Sequence, residues 1–100
     1  MGEYRKRPVV VKAVRWMDSD DLTRDYVGND HAATFLGNDY GWIQGDELVI
    51  RTLEDGQFIK AEHIATRGDW LIEGVKGEHY PVKPDIFEAS YEKRQSGQPK

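Results

Sequence analysis

The chain has 100 residues, of which 38% are hydrophobic and 32% charged, and its formal net charge at pH 7 is −4. This length fits one domain, and this apolar content argues against global disorder. The acidic excess speaks against a general affinity for nucleic acid or anionic membranes, although Arg5, Lys6 and Arg7 form a basic start.

The first third of the chain is predicted to form a strand and a short helix, with one further helical candidate. Residues 8–16 are rich in β-branched side chains and alternate in the manner of a strand. Residues 18–28 are predicted to form a short helix, because acidic side chains occupy its first turn and Gly28 can end it. Residues 30–36, closed by the glycine that follows, are an additional candidate for a short helix and are not counted among the two helices of the predicted fold.

Two β-hairpins are predicted in the second half of the chain. Residues 47–53 and 57–61 have the composition of strands and flank an Asp55-Gly56 turn, in which we expect Gly56 to adopt positive φ. Residues 70–73 and 78–82 form the second pair, and the glycines at both ends of their four-residue loop suit a turn.

The chain is predicted to close with a helix over residues 83–93, in which Pro84 suits the first turn and Phe87 and Tyr91 are spaced to pack together. We expect Trp70 and Phe87 to anchor the core. The domain should span residues 1–93, with a disordered tail over 94–100. The order of elements predicts an α+β fold: a small antiparallel or mixed sheet of four to five strands with two β-hairpins and two short helices.

Three segments resemble a family of small uncharacterised proteins of bacteriophage and prophage genomes. Residues 68–88 read GDWLIEGVKGEHYPVKPDIFE and are similar to the family's closing pattern, and residues 4–16 and 52–56 look similar to its start and to one of its turns. His79 departs from the pattern, which has an aromatic residue such as phenylalanine there. The resemblance implies a phage origin and a shared fold, and it assigns no catalytic residue.

The sequence shows no clear catalytic or metal centre. His31, His63 and His79 lack the spacing typical of metal ligands, and without cysteine there is no thiolate site, so we expect no metal and no cofactor. No Ser-His-acid arrangement and no phosphate-binding glycine loop stands out. No membrane-length apolar run or secretory signal is present either, and the lack of cysteine suits a reducing compartment, so we expect a cytoplasmic protein.

Binding is therefore the function that the sequence favours. Basic side chains are interspersed with aromatic ones, and the candidates for contact with a ligand or partner are Lys76, Tyr80, Arg51 and Lys83. We favour a non-enzymatic accessory protein that binds a host or phage protein, with self-association left open and no tight binding of nucleic acid. The alternatives are a module that binds or sequesters a nucleotide and a small hydrolase that uses a His/carboxylate pair.

Structure can separate these three hypotheses. A flat surface with an apolar patch would favour a protein partner. A deep pocket lined by arginine and aromatic side chains would favour a small ligand. A buried His–carboxylate pair in a cleft would favour the hydrolase.

Overall fold

The structure is a computed structural model that describes residues 2–3, 10–17, 26–54 and 58–92. Within these ranges the chain forms an α+β fold, as predicted. No helix in the described ranges has the length and apolar character needed to cross a membrane. The elements are β1 (Lys12–Trp16), β2 (Tyr26–Val27), α1 (Asn29–Leu36), a 3-10 turn (Gly37–Asp39), β3 (Tyr40–Gln44), β4 (Glu47–Glu54), β5 (Phe58–Thr66), β6 (Trp70–Glu73), β7 (His79–Val82) and α2 (Pro84–Ser90).

The strands form two sheets rather than a single sheet of four to five strands. One sheet has the order β2–β1–β6–β7, with β1 and β2 parallel and the other pairs antiparallel. The second is the antiparallel sheet β3–β4–β5. Both predicted hairpins are present as the pairs β4–β5 and β6–β7. The predicted Asp55-Gly56 turn lies outside the described residues, as does the tail over 94–100.

Two strands differ from the sequence-based expectation. Tyr26 and Val27 form β2, although residues 18–28 were predicted to be helical; residues 18–25 lie outside the described part of the chain. Strand β3 lies where no element was predicted, and it joins β4 through the two-residue turn Gly45-Asp46. Gly45 has φ 58°, which a tight hairpin turn of this kind requires.

One core joins the inner faces of both sheets and α1. At its centre is Trp16, whose indole N–H donates to Asn29 Oδ1 at 2.8 Å and whose ring lies 4.7 Å from the Arg67 guanidinium. The hydrogen bond to Asn29 therefore provides a partner for the buried indole N–H of Trp16. The buried members of this core are Trp16, Ala32, Leu36, Leu48, Ile50, Ala65 and Leu71.

Helix α2 covers the opposite face of the four-stranded sheet. The Phe87 ring stacks on Trp70 with 3.9 Å between centroids, and Tyr91 stacks on Phe87 at 5.0 Å, in agreement with the predicted spacing. Ahead of the helix, Lys83 Nζ lies 2.9 Å from the buried carboxylate of Asp69. Trp70 is only half-buried, so it supports the helix from outside the main core.

Tyr80 lies on β7 near the end of α2, and its phenol is expected to ionise at a higher pH than that of an ordinary tyrosine. Burial is the largest cause that raises the pKa of Tyr80 to about 12. The hydrogen bond to Tyr91 and the negative charges that Tyr91 and Glu78 can carry raise it further. The folded state therefore favours the neutral phenol. This contribution to stability is fully present below pH 10, the usual tyrosine value, and is lost as the pH rises towards 12.

Titration of the phenolate absorbance tests this assignment. We expect Tyr80→Phe to remove a titration step near pH 12. Tyr91→Phe should lower the pKa of Tyr80, because it removes both the hydrogen bond and a neighbouring acid. A titration that is unchanged by Tyr80→Phe near pH 12 would contradict the assignment.

Candidate protein-binding surface

The outer face of the three-stranded sheet points away from the core. Trp42, Val49 and Ile64 are direct neighbours on its three strands. Trp42 is 44% exposed and Ile64 53% exposed, whereas Val49 between them is only 6% exposed. Two large apolar side chains exposed on either side of Val49 form a patch, which has more significance than a single exposed residue. The described residues of the outer face are Trp42, Gln44, Glu47, Val49, Arg51, Glu62, Ile64 and Thr66.

A β-bulge at Gly41 places Trp42 on this face. Tyr40 and Ile43 both pack against the core although they lie three residues apart, which regular strand alternation does not allow. The register of β3 against β4 shifts between Tyr40 and Trp42, so Gly41 is the extra residue. A Cβ at Gly41 would lie 2.7 Å from the Val49 backbone oxygen, so only glycine fits this close approach.

A cation lies beside the exposed tryptophan. The Arg51 guanidinium is 5.9 Å from the centroid of the Trp42 ring, and its Nε is 3.6 Å from Glu62 Oε2. The distance is too long for a good hydrogen bond and both side chains are about half exposed, so this ion pair contributes only about 0–1 kcal/mol. Tryptophan and arginine are the residues most enriched in the hot spots of protein interfaces.

The four contact residues predicted from the sequence lie on different elements. Arg51 belongs to the outer face, and Lys83 borders it, because Lys83 Nζ lies 3.1 Å from the Thr66 hydroxyl. Tyr80 lies on the four-stranded sheet near α2. Lys76 is exposed in the turn between β6 and β7, where its backbone N–H donates to Glu78 Oε1 at 3.0 Å. The structure therefore places two of the four at the outer face.

Trp42 and Ile64 were not among the predicted contact residues. A signal for them is present in the sequence, because β3, β4 and β5 do not alternate between apolar and polar residues. Leu48-Val49-Ile50 is a continuous apolar run, and Trp42-Ile43 and Ile64-Ala65 are adjacent apolar pairs. Such runs place apolar side chains on both faces of a sheet.

The second distinctive group is a buried histidine between two carboxylates. His79 Nδ1 lies 2.8 Å from Asp39 Oδ2, and His79 Nε2 lies 3.2 Å from Glu73 Oε1. The backbone N–H of His79 also donates to Asp39 Oδ2, and the Thr52 hydroxyl donates to the His79 carbonyl. The imidazole packs edge-on against Phe35 at 5.4 Å, so it also fills the place of an aromatic ring.

This His79 cluster is suited to holding elements together. Both ring nitrogens already have a carboxylate oxygen within hydrogen-bond distance, and the His79 side chain is buried. A general base has to be within hydrogen-bond reach of a substrate proton. The cluster instead connects β7 to the 3-10 turn through Asp39 and to β4 through Thr52.

Metal-ligand geometry among the described residues and similarity to known proteins give no further candidate functional site. In the part of the chain that the structure describes, no group of three or more His, Cys, Asp or Glu residues is arranged to hold a metal ion. Comparison of the chain with models of protein families, with curated proteins and with solved structures gave no match. Function is therefore inferred from the outer face and the His79 cluster themselves.

The structural role of His79 can be tested by urea denaturation. His79→Ala leaves the buried side-chain oxygen of Asp39 without its ring partner and should lower the free energy of unfolding by about 1–3 kcal/mol. His79→Phe keeps a ring against Phe35 but removes both nitrogens, so it should also be clearly destabilised. If His79→Phe is as stable as the wild type, ring packing alone fixes this position.

The bulge is tested by comparing two glycines. Gly41→Ala should destabilise the fold by about 1–3 kcal/mol, because its Cβ meets the backbone of β4, which cannot move aside. Gly74→Ala is a matched control, because the Cβ there would meet only the side chain of Glu78, which can rotate away with the loss of one exposed hydrogen bond to the Lys76 backbone. Equal thermal stability of the two variants would show that the close approach at Gly41 is not constraining.

Proposed function

We propose that this chain is a phage-derived accessory protein without catalytic activity, which acts by binding a protein partner through the outer face. The observation that carries the proposal is the pair of large apolar side chains, Trp42 and Ile64, exposed on either side of Val49 on the same face of the three-stranded sheet. The phage origin rests on the resemblance of residues 68–88. A host cytoplasm is the compartment that the absence of cysteine favours.

The energetics of this face suit a protein partner. Complete burial of an aliphatic or aromatic side chain contributes roughly 1.5–3 kcal/mol, and Trp42 and Ile64 both retain a large part of their surface for a partner to cover. Arg51 and Glu62 beside them resemble the polar rim that surrounds the centre of an interface. Mixed charges of this kind do not match a phosphate backbone, which attracts cations only.

The nucleotide hypothesis finds less support. The clearest arginine–aromatic cluster lies on the four-stranded sheet, where Arg15 is 5.3 Å from the Tyr26 ring and 5.9 Å from the Trp70 ring. Arg15 Nε already donates to the Gly68 carbonyl at 2.8 Å, and Trp70 is covered by Phe87. These groups therefore stabilise the fold through contacts with one another.

The hydrolase hypothesis rests on the pair of His79 and Asp39, which is indeed buried. The pair lies between the two sheets, and each ring nitrogen of His79 already faces a carboxylate oxygen. This arrangement supports a structural role rather than proton transfer to a substrate. The outer face is the better candidate for function.

The proposal is tested by comparing three exposed positions. Trp42→Ser and Ile64→Ser alter the outer face, whereas Ile86→Ser alters α2 at a residue that is 57% exposed and serves as the matched control. Each tagged variant is used to capture partners from infected cells, and every partner found is then measured by titration calorimetry. We expect Trp42→Ser and Ile64→Ser to weaken binding by at least tenfold, and Ile86→Ser to leave it unchanged.

Thermal melting of all three variants checks that they remain folded. A partner that binds the Trp42→Ser and Ile64→Ser variants as tightly as the wild type would contradict the outer face as the contact surface. So would an equal loss of binding in the Ile86→Ser variant.

A further inference from the structure

The charges along β4 change sign about Val49. Glu47 and Arg51 each lie two residues from Val49, one before it and one after it, so all three side chains share the outer face. Val49 pairs with Trp42 on one neighbouring strand and with Ile64 on the other. The central strand thus presents an acid, an apolar centre and a base in that order.

Along the chain, β5 also runs from an acidic end through an apolar residue to a basic end. Because β5 is antiparallel to β4, the two strands present this order in opposite directions in space. Glu62 is paired with Arg51, and Thr66 is paired with Glu47, so Ile64 lies midway between an acidic end and the end at Thr66. Lys83 brings a positive charge to that end, with its Nζ 3.1 Å from Thr66 Oγ1. Its bond to Asp69 offsets part of this charge, while its side chain remains 55% exposed.

This arrangement is complementary to itself under one particular rotation. A two-fold axis that lies in the interface, perpendicular to the strands at Val49, exchanges the two ends of each strand. Glu47 of one copy then faces Arg51 of the second copy, and Glu62 faces the end of β5 at which Lys83 lies. Because the dimer is symmetric, each of these facing pairs occurs twice. A closed dimer of this type uses the same patch on both subunits.

An axis parallel to the strands gives the opposite result. It would place Arg51 against Arg51 and Glu47 against Glu47, and like charges that face each other across an interface cost several-fold in affinity at least. The charges therefore select the perpendicular axis. With that axis Trp42 and Ile64 also meet their own copies, one on each side of the largely buried Val49, and form the apolar centre of the interface.

We propose that the partner that covers the outer face is a second copy of this chain, in a symmetric dimer whose two-fold axis crosses β4 at Val49. The inference rests on the proposed function, because both require the outer face to be a contact surface. The dimer adds to the proposed function the identity of the partner that covers the outer face. The apolar centre has only two exposed side chains per copy, so the dimer dissociates on dilution.

Sedimentation velocity over a range of concentrations tests the dimer and its axis together. The wild type should dimerise at high concentration. Glu47→Arg and Arg51→Glu should each dimerise at least tenfold more weakly, because each makes positions 47 and 51 of facing copies carry like charges on both sides of the axis. An equimolar mixture of the two variants should dimerise again, because every facing pair is then of opposite sign.

A second experiment does not depend on Arg51→Glu, which adds an acid beside Glu62. The natural chain has no cysteine, so one introduced thiol reports a single position. Ile64→Cys should give a covalent dimer with a short thiol-reactive cross-linker, because the two Ile64 positions meet across the axis. Ile86 is exposed to a similar extent on α2, and Ile86→Cys should give no covalent dimer with the same cross-linker, because α2 lies outside the proposed interface.

The outcomes separate this inference from the proposed function. A wild type that remains monomeric up to about 1 mM overturns the dimer, and so does a mixture of charge variants that does not associate. If such a monomer still binds another protein in a manner that Trp42→Ser abolishes, the proposed function stands and only the second copy is wrong. A dimer that persists in the Trp42→Ser variant also overturns the inference, because it uses another face.

Discussion

The buried His79 side chain and the backbone around it join the two sheets. Asp39 accepts bonds from both the ring and the backbone N–H of His79, and Thr52 of β4 donates to the His79 carbonyl. Since β4 is the central strand of its sheet, this connection fixes which face of that sheet is turned to the core. Leu48 and Ile50 are thereby directed inward, and the alternate residues of the strand are left on the outer face.

The exposed patch arises from two local features that break the usual pattern of a half-buried sheet. The bulge at Gly41 allows Tyr40 and Ile43 to enter the core while Trp42 turns outward. The continuous apolar run in β4 adds Val49 to the same side. Departures from local rules in a folded domain tend to mark functional positions. Here both departures lie on one surface, which also carries an ordered set of charges.

Much of the fold could be predicted from the sequence, because local signals specify it. Two glycines mark the β6–β7 turn and Pro84 marks the start of α2, so both elements lie close to their predicted bounds. The two residues of β2 give no strand signal of their own, because this strand depends on pairing with β1. In β3 the bulge at Gly41 interrupts the alternation of inward and outward side chains that would indicate a strand. The partners of His79 are set by topology, since Asp39 lies 40 residues away in the chain. Arg51 and Lys83 of the candidate surface were among the predicted contact residues, whereas Trp42 and Ile64 were not.

The most direct test of the contact surface is the concentration dependence of the indole N–H resonances in NMR spectra. The chain has three tryptophans, and they sample three environments. Trp16 is buried in the core, Trp70 is stacked on Phe87, and Trp42 is exposed on the outer face. Assigned by single substitution, the Trp42 resonance should shift as the protein is concentrated, while the Trp16 and Trp70 resonances stay in place. A Trp42 resonance that does not move over the whole range would contradict self-association through the outer face.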